Sequence, residues 1–178
     1  MGFTSVRTRN RRVTTTSTQI RGCGPVTMRL ADADDTAAAG AALAEGLAAQ
    51  VGADPVAIML VGDLGAGKTT LARGLLRALG VMGAVRSPTY TLVEPYDTCI
   101  GRVLHLDLYR IADPGELDFL GLDDGDARLW LIEWPERGAG ALPSADLWLR
   151  LRRDGPGREL QIEAGSSRGE ALISTINQ

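Results

Sequence analysis

Lysine is almost missing from this chain of 178 residues: of its 19 basic side chains 18 are arginine, and the single lysine is Lys68. Histidine also occurs once, at position 105, and cysteine twice, at positions 23 and 99. Two distant cysteines without a CxxC pair or a Cys/His cluster exclude a disulfide framework and a zinc site, and they fit a reducing cytoplasm. A run of about eighteen apolar residues, the minimum for a membrane span, is absent too. The longest apolar stretch, Val56 to Val61, has the length of a buried strand. Acid is missing from residues 1–27, which carry five arginines (7, 9, 11, 12 and 21), so the net charge of −3 conceals a body at −8. An acidic body cannot grip nucleic acid over a broad surface, because neutralising phosphates takes clustered Lys and Arg. Any RNA served by this chain would be held by other proteins.

What is present suits one globular domain: hydrophobic residues make up 44% and charged residues 23%. Residues 1–27, rich in Thr and Arg, lack hydrophobic periodicity and read as a disordered extension, with a domain over 28–178. The extension has no apolar h-region of a secretory signal. Its composition fits an organellar transit peptide or a start codon set too far upstream, with Met28 the natural beginning, and we favour the latter. Within the domain, Asp32 to Gln50 predicts a capped amphipathic helix and Val56 to Val61 a buried strand. Thr69 to Leu79 predicts a helix ended by Gly80. Thr91–Glu94, Val103–Leu108, Leu129–Ile132, Leu147–Leu151 and Glu159–Glu163 read as strands, Asp113–Leu120 and Ser167–Ile176 as helices. Alternation of this kind predicts an α/β fold of three layers around a mostly parallel sheet.

The strand at Val56 runs into Gly62-Asp63-Leu64-Gly65-Ala66-Gly67-Lys68-Thr69, which satisfies GxxxxGK[ST] between a buried strand and a helix. In such a P-loop the glycines let backbone N–H groups turn inward around a phosphate, and the helix N-terminus adds its positive dipole end. The binding segment is Gly62 to Thr70, and the ligands expected are ATP and Mg²⁺. Lys68 would bridge the β- and γ-phosphates, where a compact ammonium fits and a broad guanidinium does not. The hydroxyl of Thr69 would go to magnesium, which takes few protein oxygens and keeps several waters.

A P-loop enzyme also needs an acid at the end of a neighbouring apolar strand. Two are available, Asp107 after Val103-Leu104-His105-Leu106 and Glu133 after Leu129-Trp130-Leu131-Ile132. Aspartate is the more usual acid there, yet spacing does not decide between them. Arg86 to Thr91, dense in hydroxyls around Pro88, reads equally as a nucleotide-sensing switch or as a proline-anchored turn. His105, inside an apolar strand pattern, reads as a core residue without a chemical role, and Trp134 as packing. Arg153 and Arg158 flank a hairpin turn and could project toward a nucleotide as an arginine finger, but read as solvated, the common state of exposed hairpin arginines.

Gly62 to Thr70, Ser87-Pro-Thr-Tyr-Thr-Leu-Val-Glu-Pro-Tyr96, His105-Leu-Asp-Leu-Tyr-Arg110 and Leu131-Ile-Glu-Trp-Pro-Glu-Arg137 stand in an order that resembles the TsaE family of bacterial threonylcarbamoyladenosine biosynthesis ATPases. The resemblance covers about residues 28–178. It implies a P-loop NTPase fold and slow ATP hydrolysis. It also implies action with the partners TsaB and TsaD, in a complex that makes the threonylcarbamoyl modification on adenosine 37 of tRNA. By matching position it implies Thr69 and Glu133 as magnesium ligands and Asp107 as the residue that serves hydrolysis beside Lys68. Thr36 falls where the family's leading helix approaches the nucleotide. Two other readings of the same loop are a small-molecule kinase, for whose lid this length leaves little room, and a nucleotide-gated scaffold with incidental turnover.

Overall fold

A computed structural model of the chain describes residues 24–50, 52, 54–119 and 126–176. Its elements run β1 (Val26–Leu30), α1 (Ala33–Gln50), β2 (Val56–Val61), α2 (Lys68–Ala78), β3 (Val93–Thr98), β4 (Gly101–Asp107), β5 (Ala127–Glu133), β6 (Leu147–Asp154), β7 (Gly157–Ala164) and α3 (Ser167–Ile176). Two 3-10 turns, Pro114–Phe119 and Pro135–Gly138, follow β4 and β5. The strands form one sheet in the order β1-β7-β6-β2-β5-β4-β3. Its four central strands, β6, β2, β5 and β4, are parallel, and antiparallel neighbours close both edges. The fold is therefore α/β around a mostly parallel core, as the alternating pattern predicts.

Strand β2 reads Val-Ala-Ile-Met-Leu-Val without polar alternation because both faces of the sheet are covered. Ile58 and Leu60 pack with Leu43 and Leu47 of α1 and Leu71 and Leu75 of α2. Ala57 and Met59 point the other way, toward Leu108, Ile111 and Leu117. Leu172 and Ile173 of α3 join the same cluster as α1 and α2, so the three α-helices among the described residues share one face, and the third layer is built from the 3-10 turns and their loops. Each such leucine taken out of water stabilises the fold by roughly 1.5–3 kcal/mol. Helices α1 and α2 approach closely because Gly40 lies against the backbone of Leu71 and Gly74 against that of Ala37. Asp146, at the start of β6, accepts hydrogen bonds from the Ala57 N–H at 3.0 Å and from the Ser166 hydroxyl, and pairs with Arg168 at 3.4 Å. One buried carboxylate thereby joins β2, β6 and the entry to α3.

The sequence-based boundaries shift in a few places. The cap of α1 is as expected, with Asp32 accepting from the Asp35 N–H at 2.9 Å. Val26 and Thr27, assigned above to the extension, pair with Ile162 and Gln161 as the start of β1, so the ordered sheet begins two residues before Met28. Residues 1–23 lie outside the described residues. The strand expected from Thr91 begins at Val93 instead, because Leu92 takes a left-handed backbone, φ 62°, and turns the chain. It continues past Pro95 because β3 is an edge strand, where a residue without an N–H is tolerated. The helix expected over Asp113–Leu120 is a 3-10 turn over Pro114–Phe119, and Leu120 lies outside the described residues. Among the described residues no helix is long and apolar enough to cross a membrane.

Candidate nucleotide-binding site

The site lies at the C-terminal ends of β2, β5 and β4, on the face of the sheet that carries α2. Strand β2 delivers the chain to Gly62, whose φ of 150° only glycine adopts readily, and a Cβ there would sit 2.3 Å from the carbonyl oxygen of Leu151. The loop turns through Gly65 and Gly67, both at positive φ, and Gly67 caps α2 with no side chain over its first N–H groups. That leaves the helix N-terminus open toward the loop, the arrangement that receives anions. Leu64 forms the exposed tip, Ala66 is buried beneath it, and Thr70 is half-buried on the first turn of α2.

Lys68 is 4% exposed, and its ammonium donates to the carbonyls of Gly62 at 2.6 Å and Asp63 at 3.0 Å. It also lies 4.1 Å above the Trp134 ring. Burial pushes its pKa below the ordinary 10.5, and the carboxylates of Glu133, Asp107, Glu136 and Asp63 act in the opposite direction. Its amine thus rests on the loop's own carbonyls, bonds that an incoming phosphate can replace.

Strand register settles which acid faces the loop. Leu60 pairs with Glu133, and Glu133 with Asp107, so both acids occupy the last position of their strands and point to the α2 face. Strand β5 is the one beside β2, so Glu133 is the nearer: the Thr69 hydroxyl donates to it, 3.0 Å from Oε1 and 3.3 Å from Oε2. Asp107 stands one strand further out. Its Oδ2 accepts from the hydroxyls of Ser87 and Thr89, the latter at 3.1 Å, and its Oδ1 accepts from the Tyr109 N–H at 3.1 Å. The hydroxyl-rich loop after α2 is thereby tied to the second acid. Both carboxylates are buried, at 2% and 4% exposure, beside one ammonium. The hydroxyl and carboxylate oxygens 3.0 Å apart, at the open end of the glycine loop, are hard donors that could hold a magnesium ion.

Residues 30–160 match the family model described as threonylcarbamoyl adenosine biosynthesis protein TsaE. The chain belongs to the TsaE family. Among similar proteins, the tRNA threonylcarbamoyladenosine biosynthesis protein TsaE of Haemophilus influenzae is 44% identical over 124 residues, covering 68% of this chain and 78% of that one. The Bacillus subtilis protein of the same description is 35% identical over 124 residues, 68% of this chain and 77% of that one. The crystal structure of Bacillus subtilis YdiB superposes with a TM-score of 0.69 at 25% identity, covering 89% of this chain and 97% of that one. The place of this TsaE chain is therefore in tRNA threonylcarbamoyladenosine biosynthesis.

Three residues read above as bland stand in this candidate site. His105 is fully buried, and its Nε2 lies 3.0 Å from Glu133 Oε1. Trp134 adopts a left-handed backbone, φ 58°, that places its indole under Lys68 and against Tyr109, with ring centroids 5.0 Å apart. Such a backbone costs a non-glycine residue about 1–2 kcal/mol and is retained where surroundings demand it. Arg158 donates from Nε to the Ala66 carbonyl at 2.9 Å, so the β6–β7 hairpin grips the loop. Thr36 approaches the loop with its methyl, since its hydroxyl donates to the Asp32 carbonyl at 2.8 Å. The signal for His105 was its spacing from Asp107, two residues along a strand and hence the same face. For Arg158 the only local signal was its place beside the hairpin turn, and it is the sheet order that brings β7 near the loop.

Proposed function

We propose that this TsaE chain binds ATP with Mg²⁺ at the loop from Gly62 to Thr70 and hydrolyses it slowly. It would do so in the cytoplasm with TsaB and TsaD, as part of the machinery that modifies adenosine 37 of tRNA and reaches the tRNA only through that complex. The observation that carries the reading is the contact of Thr69 with Glu133 at the mouth of the loop, beside a lysine held on replaceable carbonyls. Magnesium, when bound, neutralises phosphate charge. Thr69 and Glu133 are the residues that would hold it. Lys68 exchanges the carbonyls of Gly62 and Asp63 for phosphate oxygens, gaining a charged partner for a charge already desolvated. Asp107, fixed by Ser87, Thr89 and the Tyr109 N–H, orients a water for attack and ties the state of the 87–92 loop to the site. Thr36 supports the loop from behind.

The acceptor in this reading is water. Purified protein given Mg²⁺ and ATP alone releases phosphate, if slowly; strict dependence on an added small-molecule acceptor would make it a kinase. For the role in the cycle, Asp107→Ala binds ATP, loses turnover and fails to support tRNA modification. Full modification by a variant without turnover would establish a nucleotide-gated scaffold.

A further inference from the structure

His105 does nothing in the chemistry proposed above, yet it is the most completely buried polar side chain near the site, at 0% exposure. Its Nε2 lies 3.0 Å from Oε1 of Glu133, and its Nδ1 has no hydrogen-bond partner among the described residues. A carboxylate oxygen carries only lone pairs, so the hydrogen in this contact sits on Nε2. A buried ring that satisfies one nitrogen and leaves the other unpaired forgoes about 1–3 kcal/mol of compensation for its burial. Leucine would fill the place between Leu104 and Leu106 without that loss.

The geometry points to His105 as the positioning residue for Glu133, holding the carboxylate toward Thr69 and so setting the affinity of the site for a divalent cation. This rests on the reading of Thr69 and Glu133 as the magnesium-holding pair. Glu133 is gripped at Oε1 from two sides, by the Thr69 hydroxyl from α2 and by His105 from the neighbouring strand β4. The backbone places the two strands in register at Asp107 and Glu133, but the glutamate side chain has three rotatable bonds beyond its Cα. Without the imidazole, Thr69 alone would restrain it. Hydrogen-bond partners of metal-ligating groups typically change metal affinity by about 10- to 100-fold when removed.

The test compares three substitutions by titrating Mg²⁺ into the protein saturated with a non-hydrolysable ATP analogue, and by measuring analogue affinity in EDTA. His105→Leu keeps the apolar volume and loses the donor. Magnesium affinity should fall about 10- to 100-fold, while metal-free analogue binding stays within about twofold of wild type. His105→Gln, whose amide nitrogen reaches the Nε2 position, should recover most of that affinity, and His105→Asn, whose nitrogen falls near Nδ1, should not. A purely structural residue would instead lower the melting temperature of all three without separating glutamine from asparagine in magnesium affinity. Equal magnesium affinity in wild type and the leucine variant, or equal loss in Gln and Asn, overturns the inference; if the leucine variant does not fold, the Gln and Asn pair decides alone. Absence of magnesium-dependent analogue binding in the wild type overturns the underlying reading instead.

Discussion

Replacing Glu133 with glutamine removes a charge while keeping the side-chain shape, and the two short contacts make its outcome calculable. Thr69 and His105 both approach Oε1 at 3.0 Å, whereas the Thr69 contact to Oε2 is 3.3 Å. An amide with its oxygen in the Oε1 position retains both short hydrogen bonds. Each changes from charge-assisted to neutral, a loss of about 1 kcal/mol apiece. Against this stands relief of like charge. Asp107 is the register partner of Glu133 on the adjacent strand, and unit charges about 6 Å apart repel by roughly 3 kcal/mol at an effective dielectric near 20. Some of that relief is cancelled because Lys68 loses its strongest neighbouring carboxylate. The free Glu133→Gln protein should therefore lie within about 1 kcal/mol of wild type, a melting-temperature change of no more than about 4 °C. The response to ligand should be lost. If the proposed binding holds, Mg²⁺-ATP at a hundred times its dissociation constant should stabilise wild type by about 2.7 kcal/mol, or roughly 5–10 °C. Differential scanning fluorimetry with and without Mg²⁺ and a non-hydrolysable analogue measures both quantities. A variant that keeps the full magnesium-dependent shift, or that melts more than about 10 °C below wild type without ligand, would refute the arrangement described for Glu133.

Lys68→Ala should abolish measurable analogue binding by calorimetry, because the ammonium is the only lysine in the chain and sits between the loop carbonyls. In wild type, analogue affinity should decline as pH rises through the lowered pKa of Lys68, beginning below 10.5, since only the protonated amine pairs with phosphate. Over the same window the unfolded chain holds that proton more tightly, so free-protein stability should rise with pH, the opposite sign. Asp146→Ala strips the Ala57 N–H and the Ser166 hydroxyl of their acceptor and should cost about 2–4 kcal/mol in urea unfolding, with the affinity of the remaining folded protein for nucleotide unchanged. Gly74→Ala puts a methyl 2.0 Å from the Ala37 carbonyl oxygen, forces α1 and α2 apart, and should lower the urea midpoint by an amount equivalent to at least about 2 kcal/mol.

Much of the fold was legible in local pattern. The unbroken apolar run of β2 predicts a strand covered on both faces, and Asp32 predicts the start of α1, because burial and capping act within a few residues. Edge behaviour was less legible. Pro95 marks a strand end in a central strand but not in β3, and nothing local tells an edge strand from a central one. The start of β1 at Val26 escaped for a related reason, since five residues of weak alternation become a strand only when β7 is there to pair with them.

By itself the sequence determined that a glycine loop of the GxxxxGK[ST] pattern follows Val61, that Lys68 and Thr69 are the polar side chains closing that pattern, and that Asp107 and Glu133 each end an apolar strand. These follow from residue type and short spacing, which chain chemistry fixes before anything packs. Only the tertiary structure decided that Glu133 and not Asp107 meets Thr69, that His105 grips that glutamate, and that Arg158 holds the loop from a strand some ninety residues away. The reason lies in the order of the sheet. Strand β5 lies beside β2 and β4 beyond it, and that order depends on long-range pairing that no local spacing encodes.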